Sequence, residues 1–217
     1  MTLPGFTQKI SRFPIEMIMR VFLGLSVEGK NRVIDLEPPF LVISNHVSKI
    51  DGWVVGSSFP FFNYMTYPAT RFMTIKNYLE IPFLELFLRM NGSYPIEKYT
   101  GKPLEELMAP SFRILGRGEI VQMFPEGKLE RNKKKPSDYK ARPGVACLAK
   151  HSGVPILPVA IKMKKRKYFF PKFSVIFGSP FYYKDVANRT DDYRTAADKI
   201  MQRVRELEKK ILIERKE

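Results

Sequence analysis

Five positions separate His46 from Asp51 in Asn45-His46-Val47-Ser48-Lys49-Ile50-Asp51, and the apolar run Phe40-Leu41-Val42-Ile43-Ser44 leads directly into that stretch. On an ideal α-helix five residues turn the chain through about 500°, which leaves the two side chains roughly 140° apart. The pair can meet only if His46 lies in a loop and Asp51 at or just inside the next helix. A strand-length apolar run, a loop and a helix in that order form the junction at which open α/β sheets carry their sites. An imidazole there can accept a proton near neutral pH, and a carboxylate can fix its tautomer. Alone, the match also suits a surface histidine beside an incidental aspartate.

The rest of the chain repeats the alternation. Phe40–Ser44, Arg71–Ile75, Ser93–Ile96, Glu119–Phe124, Pro155–Ile161 and Phe173–Phe177 read as strands. Asn77–Met90, Lys102–Leu115 and Pro143–His151 read as helices between them, the second kinked or restarted at Pro110 and the third closed by Gly153. From Asp191 onward Ala197, Ile200, Met201, Val204, Leu207 and Ile211 share one helical face. The pattern predicts an α/β fold with a mixed, mostly parallel sheet flanked by helices. A short N-terminal helix over residues 1–26 precedes one domain over 27–217, with no internal repeat.

The N-terminal apolar segment Ile15–Leu25 would be about 16 Å long as a helix, too short to span a bilayer. Lys9, Arg12 and Arg20 flank or interrupt it, which suits a helix lying in the headgroup region. The alternative is a helix packed on its own domain. Residues 1–11 lack the ordered parts of a secretory signal. Gly52 to Thr70 holds no charge but carries Trp53, Phe59, Phe61, Phe62, Tyr64 and Tyr67. It reads either as a surface that dips into lipid or lines an acyl-chain entrance, or as buried core.

A formal charge of +15 attracts polyanions, whether nucleic acid, anionic membrane or phosphorylated substrate. One cysteine excludes an internal disulfide, and with only two histidines it argues against zinc. Cys147 is the rival nucleophile for an acyl-transfer site, but it sits among Val145, Ala146 and Leu148 with no base beside it in sequence. Cysteines in such settings are inert. His151, just before Gly153, reads as a helix-end cap.

Three further blocks follow the His46 stretch. Lys76-x3-Glu80-Ile81-Pro82 leads to Gly92-Ser93-Tyr94-Pro95-Ile96-Glu97-Lys98. Phe124-Pro125-Glu126-Gly127 closes a strand, and Gly144-Val145-Ala146 precedes Val154-Pro155-Ile156-Leu157-Pro158-Val159. In this order and spacing the chain resembles the glycerolipid (lysophospholipid) acyltransferase family, typified by the PlsC-type 1-acylglycerol-3-phosphate acyltransferases. The likeness runs from about Val27 to Ile161.

The resemblance implies transfer of a fatty acyl group from acyl-CoA or acyl carrier protein to a lysophospholipid hydroxyl, first of all 1-acylglycerol-3-phosphate, giving phosphatidate. It implies His46 and Asp51 as the catalytic pair. Asn45, Ser48, Lys76, Lys98, Glu126, Gly127 and Lys128 would bind substrate, and Pro155 and Pro158 would shape the acyl-donor site. The chemistry agrees: an alcohol needs a base to attack a thioester at neutral pH, and the substrate hydroxyl takes the place of an enzyme serine. Oxyanion donors are expected from the turn or the start of the helix carrying Asp51.

Two departures bear on the acceptor. Lys98 stands where the family usually has arginine, which removes a bidentate fork. Lys128-Leu129-Glu130-Arg131 replaces the usual threonine, arginine and serine. Another lysolipid is therefore a rival acceptor.

The clusters Lys133-Lys134-Lys135 and Lys162-Met163-Lys164-Lys165-Arg166-Lys167 fit a solvated face, an anionic membrane surface, or the phosphates of a donor. The expected setting is the cytoplasmic face of the cell membrane, peripheral or monotopic, with no metal or prosthetic group. A non-catalytic basic protein that binds membrane or nucleic acid would explain the charge but not the ordered blocks. No nucleic-acid fold signature supports it.

Overall fold

Strand-length apolar runs make an interior sheet only when helices cover both faces, and here they do. The computed structural model describes residues 2–75, 81, 83–97, 101–129, 140–166, 170–188 and 190–213. Among these, β1 (Ser26–Glu28), β2 (Leu41–Ser44), β3 (Thr70–Ile75), β4 (Ser93–Ile96), β5 (Ile120–Met123), β6 (Ile156–Lys164) and β7 (Lys172–Phe177) form one seven-stranded sheet. The spatial order is β1-β7-β6-β2-β5-β3-β4. Only β6 and β7 pair antiparallel; every other neighbouring pair is parallel. The mixed, mostly parallel α/β architecture is thus the one the alternation predicts.

The side-chain period of two sorts the central strands between two cores. Leu41, Ile43, Val121 and Met123 pack with Val145, Leu148, Ile200 and Val204 under α5 (Leu104–Gly116), α6 (Gly144–Ser152) and α7 (Tyr193–Ile213). Phe40, Val42 and Ile120 pack on the other face with Met19, Val54, Val55 and Phe59, under α1 (Leu3–Val21) and α2 (Asp51–Gly56). Each fully buried aliphatic or aromatic side chain stabilises by roughly 1.5–3 kcal/mol. Two short helices, α3 (Phe61–Thr66) and α4 (Leu84–Met90), lie beside α1 and α2.

Several boundaries differ from the sequence expectation for physical reasons. Residues 104–116 are continuous helix through Pro110, because Leu107, Met108, Ser111, Ile114 and Leu115 hold both halves buried. Packing outweighs the lost hydrogen bond. The helix before β4 is described only from Leu84, and residues 77–80 and 82 lie outside the described residues. Strand β1 is three residues long, too short to leave a pattern. The charge-free stretch 52–70 divides: Phe59 and Tyr67 are buried, whereas Phe62 is exposed.

Helix α1 begins at Leu3, earlier than the apolar segment suggests, with the Thr2 hydroxyl accepting from the Gly5 N–H at its start. It meets the domain through polar side chains. Gln8 donates to the carbonyls of Thr70 and Asn91 and accepts from the Thr70 N–H. Arg12 is buried and donates to the carbonyls of Gly56 (2.7 Å) and Phe59 (2.8 Å), pairs with Glu16 at 2.9 Å and lies over the Tyr64 ring. Burial lowers the pKa of the Arg12 guanidinium, and the nearby Glu16 opposes that shift.

Gly92, at the turn between α4 and β4, has φ +94°, and a Cβ there would stand 2.4 Å from the Thr70 carbonyl oxygen and 2.7 Å from the Gln8 amide nitrogen. Gly92→Ala is therefore expected to destabilise the fold by about 3 kcal/mol, combining backbone strain with the clash. A fall in the urea midpoint with unchanged slope would show it.

Candidate active site

β2 ends at Ser44 in the middle of the sheet, between β6 and β5, and the chain leaves it through Asn45 and His46. Five residues past His46, Asp51 opens α2 on the face that packs Val54 and Val55 against Val42. The loop and helix start fold the pair back together as the spacing requires. His46 Nδ1 lies 2.7 Å from Asp51 Oδ2.

The carboxylate is saturated. Oδ2 also accepts the Val47 N–H at 2.7 Å and the Ser48 N–H at 2.9 Å, and Oδ1 accepts the Ser48 hydroxyl at 2.6 Å. Asp51 is fully buried, while the His46 side chain keeps 24% of its surface exposed. An acceptor surrounded by donors is an ionised carboxylate, so Nδ1 carries the proton and donates. Nε2 is left as the lone-pair nitrogen. The ring is held from one side by Phe124, stacked at 4.2 Å between centroids and 17° between planes. These contacts fix both the tautomer and the direction of the base.

The other expected site residues fall into separate roles. The Asn45 amide is buried, donating to the Ile161 carbonyl at 2.7 Å and accepting the Ile161 N–H at 2.8 Å. It ties the β2 exit to β6 and does not reach toward a substrate. The Ser48 hydroxyl is turned to Asp51, and accepts from the Ile50 N–H at 3.3 Å. It orients the carboxylate. Oxyanion donors are expected from the turn or the start of the helix carrying Asp51; of the N–H groups in that turn, those of Val47 and Ser48 are occupied by Asp51.

Glu126 is buried with its carboxylate 3.9 Å from the Arg205 guanidinium, while Gly127 and Lys128 are exposed. Pro155 accepts the Leu41 N–H at 2.9 Å and Pro158 pairs with Ile43 across β2 and β6, so both act through the sheet. Lys76 and Lys98 lie outside the described residues.

Two residues near the site were given no role there from sequence. Phe124 touches His46 because β5 neighbours β2, an order the sequence does not state. Arg142 lies across the Glu126-Gly127 turn: a Cβ on Gly127, whose φ is +65°, would stand 2.3 Å from Arg142 Nε. Its N–H also donates to the Pro125 carbonyl at 2.8 Å. The signal was a lone arginine fifteen residues past the turn, with nothing local to mark it.

Cys147 is fully buried on the opposite face, under α5 and α7. Burial pushes its thiol up to about 11, and the Glu105 carboxylate adds to the rise. A thiol held protonated is a poor nucleophile. The native protein at pH 8 is expected to react slowly with a thiol reagent and to release one fast-reacting thiol on denaturation, read by absorbance.

An apolar groove of about 450 Å³ runs between α1 and α4, lined by Ile10, Ile15, Ile18, Met19, Phe87 and Met90 with Trp53 at its wall. Trp53 lies two residues beyond Asp51 on α2, so the groove begins beside the helix that carries the carboxylate.

Known proteins resemble this chain in fold or in sequence. The crystal structure of the 1-acyl-sn-glycerophosphate (LPA) acyltransferase PlsC from Thermotoga maritima matches in fold, with a TM-score of 0.59 and 21% identity over 93% of this chain and 80% of that one. A 1-acyl-sn-glycerol-3-phosphate acyltransferase of Saccharomyces cerevisiae is 24% identical over 148 residues, which is 66% of this chain and 45% of that protein. A chloroplastic 1-acyl-sn-glycerol-3-phosphate acyltransferase of Arabidopsis thaliana is 22% identical over 143 residues, 64% of this chain and 36% of that protein. The chain thus spans less than half the length of these curated relatives. Residues 24–162, well over half of the chain, match the family described as Acyltransferase, and the protein belongs to that family.

Proposed function

We propose that this protein moves a fatty acyl group from acyl-CoA or acyl carrier protein to the free hydroxyl of 1-acylglycerol-3-phosphate, forming phosphatidate at a membrane surface. The observation that carries the reading is the partly exposed ring of His46, with Nδ1 held 2.7 Å from a buried, saturated carboxylate so that Nε2 is left as the lone-pair nitrogen. The acceptor hydroxyl gives its proton to Nε2 as its oxygen attacks the thioester carbonyl. When the tetrahedral intermediate collapses, the C–S bond breaks and the imidazolium returns the proton to the departing thiolate. Asp51 stabilises the imidazolium between the two transfers. No acyl-enzyme is formed.

Lys128 and Arg142, at the turn that follows Phe124, would meet the acceptor phosphate, Arg142 with the planar fork that a lysine lacks. Lys76 and Lys98 are proposed to share that charge. The groove between α1 and α4 is proposed to take an acyl chain, since its wall is almost wholly apolar.

The membrane seat rests on α1. Leu3, Phe6, Ile10, Phe13, Met17 and Val21 recur every three or four residues and are all exposed, while Gln8 and Arg12 face inward. A helix that buries its polar side and exposes its apolar side suits a lipid surface. Exposed Leu86 and Phe87 on α4, and Phe83 at its start with 89% of its surface free, extend the same patch. No helix among the described residues is long and apolar enough to cross a membrane, and the seat proposed is monotopic or peripheral. The working face is proposed to be the cytoplasmic one.

Incubating the protein with labelled acyl-CoA, acyl carrier protein and a panel of lysolipids tests the reading. A new diacyl product with lysophosphatidate supports it; product with another headgroup alone moves the acceptor, as the replacement of the usual motif arginine favours. No ester with any acceptor overturns it.

A further inference from the structure

Outside the His46 site, three helices bring a thiol, an imidazole, a carboxylate and a phenol to one point. Cys147 and His151 are four residues apart on α6, the spacing that puts two side chains on one helical face. Glu105 comes from the first turn of α5 and Tyr193 from the first residue of α7. One ligand atom from each of Glu105, Cys147 and His151 lies within 4.8 Å of the other two. His151 Nε2 is 3.8 Å from Glu105 Oε1, and the Tyr193 hydroxyl stands 2.7 Å from the first and donates at 2.8 Å to the second.

We infer that Glu105, Cys147 and His151 form a structural site for a borderline divalent cation such as Zn²⁺, with Tyr193 or a water as the fourth ligand. A tetrahedral centre with one sulfur at about 2.3 Å and nitrogen and oxygen at about 2.0 Å needs ligand atoms roughly 3.3–3.5 Å apart, so separations of up to 4.8 Å call for a closure of about 1.5 Å or less. One sulfur, one imidazole nitrogen and one carboxylate oxygen suit zinc or cobalt and are too soft for calcium or magnesium. The sulfur lies inside, among Leu107 and Met108, while Glu105 and His151 are open to solvent, which supplies an entry path. Phe112 sets its ring edge-on to the imidazole at 6.3 Å.

The cluster lies on the face that carries α5, α6 and α7, across the sheet from α2, and so is separate from the base at His46. A cation there would clamp the first turn of α7 to the two helices in front of it. Its effect would be on stability, since a ligand that binds only the folded state stabilises it by mass action.

The full chain, stripped of metal by chelator and dialysis, would be titrated with Co²⁺ and then Zn²⁺. One equivalent of Co²⁺ should give a thiolate-to-cobalt charge-transfer band, Zn²⁺ should bleach it, and either should raise the melting temperature. Cys147→Ser should lose the band, and His151→Ala should weaken binding at least about tenfold, while both retain a native circular dichroism spectrum. The chain has only one other histidine, so His46→Ala is the control and should bind as the parent does. No stoichiometric band, or a band that survives in Cys147→Ser or depends on His46, would overturn the assignment and leave the cluster as a hydrogen-bonded latch.

Discussion

His46→Ala is expected to cut acyl transfer by about 10³–10⁴-fold, because no other imidazole is placed to take the hydroxyl proton. Asp51→Asn should cost less, about a hundredfold. Three N–H groups converge on the Oδ2 position, so the amide oxygen of an asparagine has to sit there. Its NH₂ then faces Ser48 Oγ, which can turn from donor to acceptor. Tautomer and ring direction survive; only the negative charge opposite the imidazolium is lost, worth about 2–3 kcal/mol. Asp51→Ala differs in kind, since it leaves the buried Val47 N–H and the Ser48 N–H without their acceptor and should lower stability by about 2–4 kcal/mol as well. Turnover numbers and denaturation midpoints for the three variants would separate these cases. Equal losses of activity in Asp51→Asn and His46→Ala would contradict the orientation argument.

The second large effect concerns α1. Changing Phe6, Ile10, Phe13 and Met17 together to serine should weaken binding to anionic vesicles by about three orders of magnitude, at about 1 kcal/mol per half-exposed side chain. None of the four belongs to the buried contacts of the helix, which are made by Gly5, Gln8, Arg12 and Met19. The fold and its melting temperature should therefore stay as they are. Flotation with vesicles reads the first effect and calorimetry the second. Unchanged flotation would assign membrane binding elsewhere, with the lysine clusters next in line.

Both predictions show which parts of this protein a linear reading reaches. The junction at His46 was legible because spacing alone excludes a single helix for the pair, and the apolar run before it had strand length. The central strand candidates were legible because the sheet is buried on both faces there, which leaves runs such as residues 40–43 and 156–161 unbroken by polar side chains. What stayed hidden depends on order in space. Phe124 reaches His46 only because β5 lies next to β2, and Arg142 reaches Gly127 only after a return of the chain. Asn45 could not be known as a strut until β6 was placed beside β2. The same holds for Glu105, Cys147, His151 and Tyr193, which three separate helices gather. In α1 the apolar stretch was visible, but that Gln8 and Arg12 form its inward side was not.

The Arg12 guanidinium grips the carbonyls of Gly56 and Phe59, at the far end of the six-residue helix that Asp51 begins. A change in tilt of the outer helix is therefore passed along a lever less than two turns long to the carboxylate that aims the base. On the membrane seat proposed above, immersion depth and catalytic alignment would be one mechanical setting. The protein lifted off a bilayer should then work more slowly even on a short-chain acceptor that diffuses freely in water.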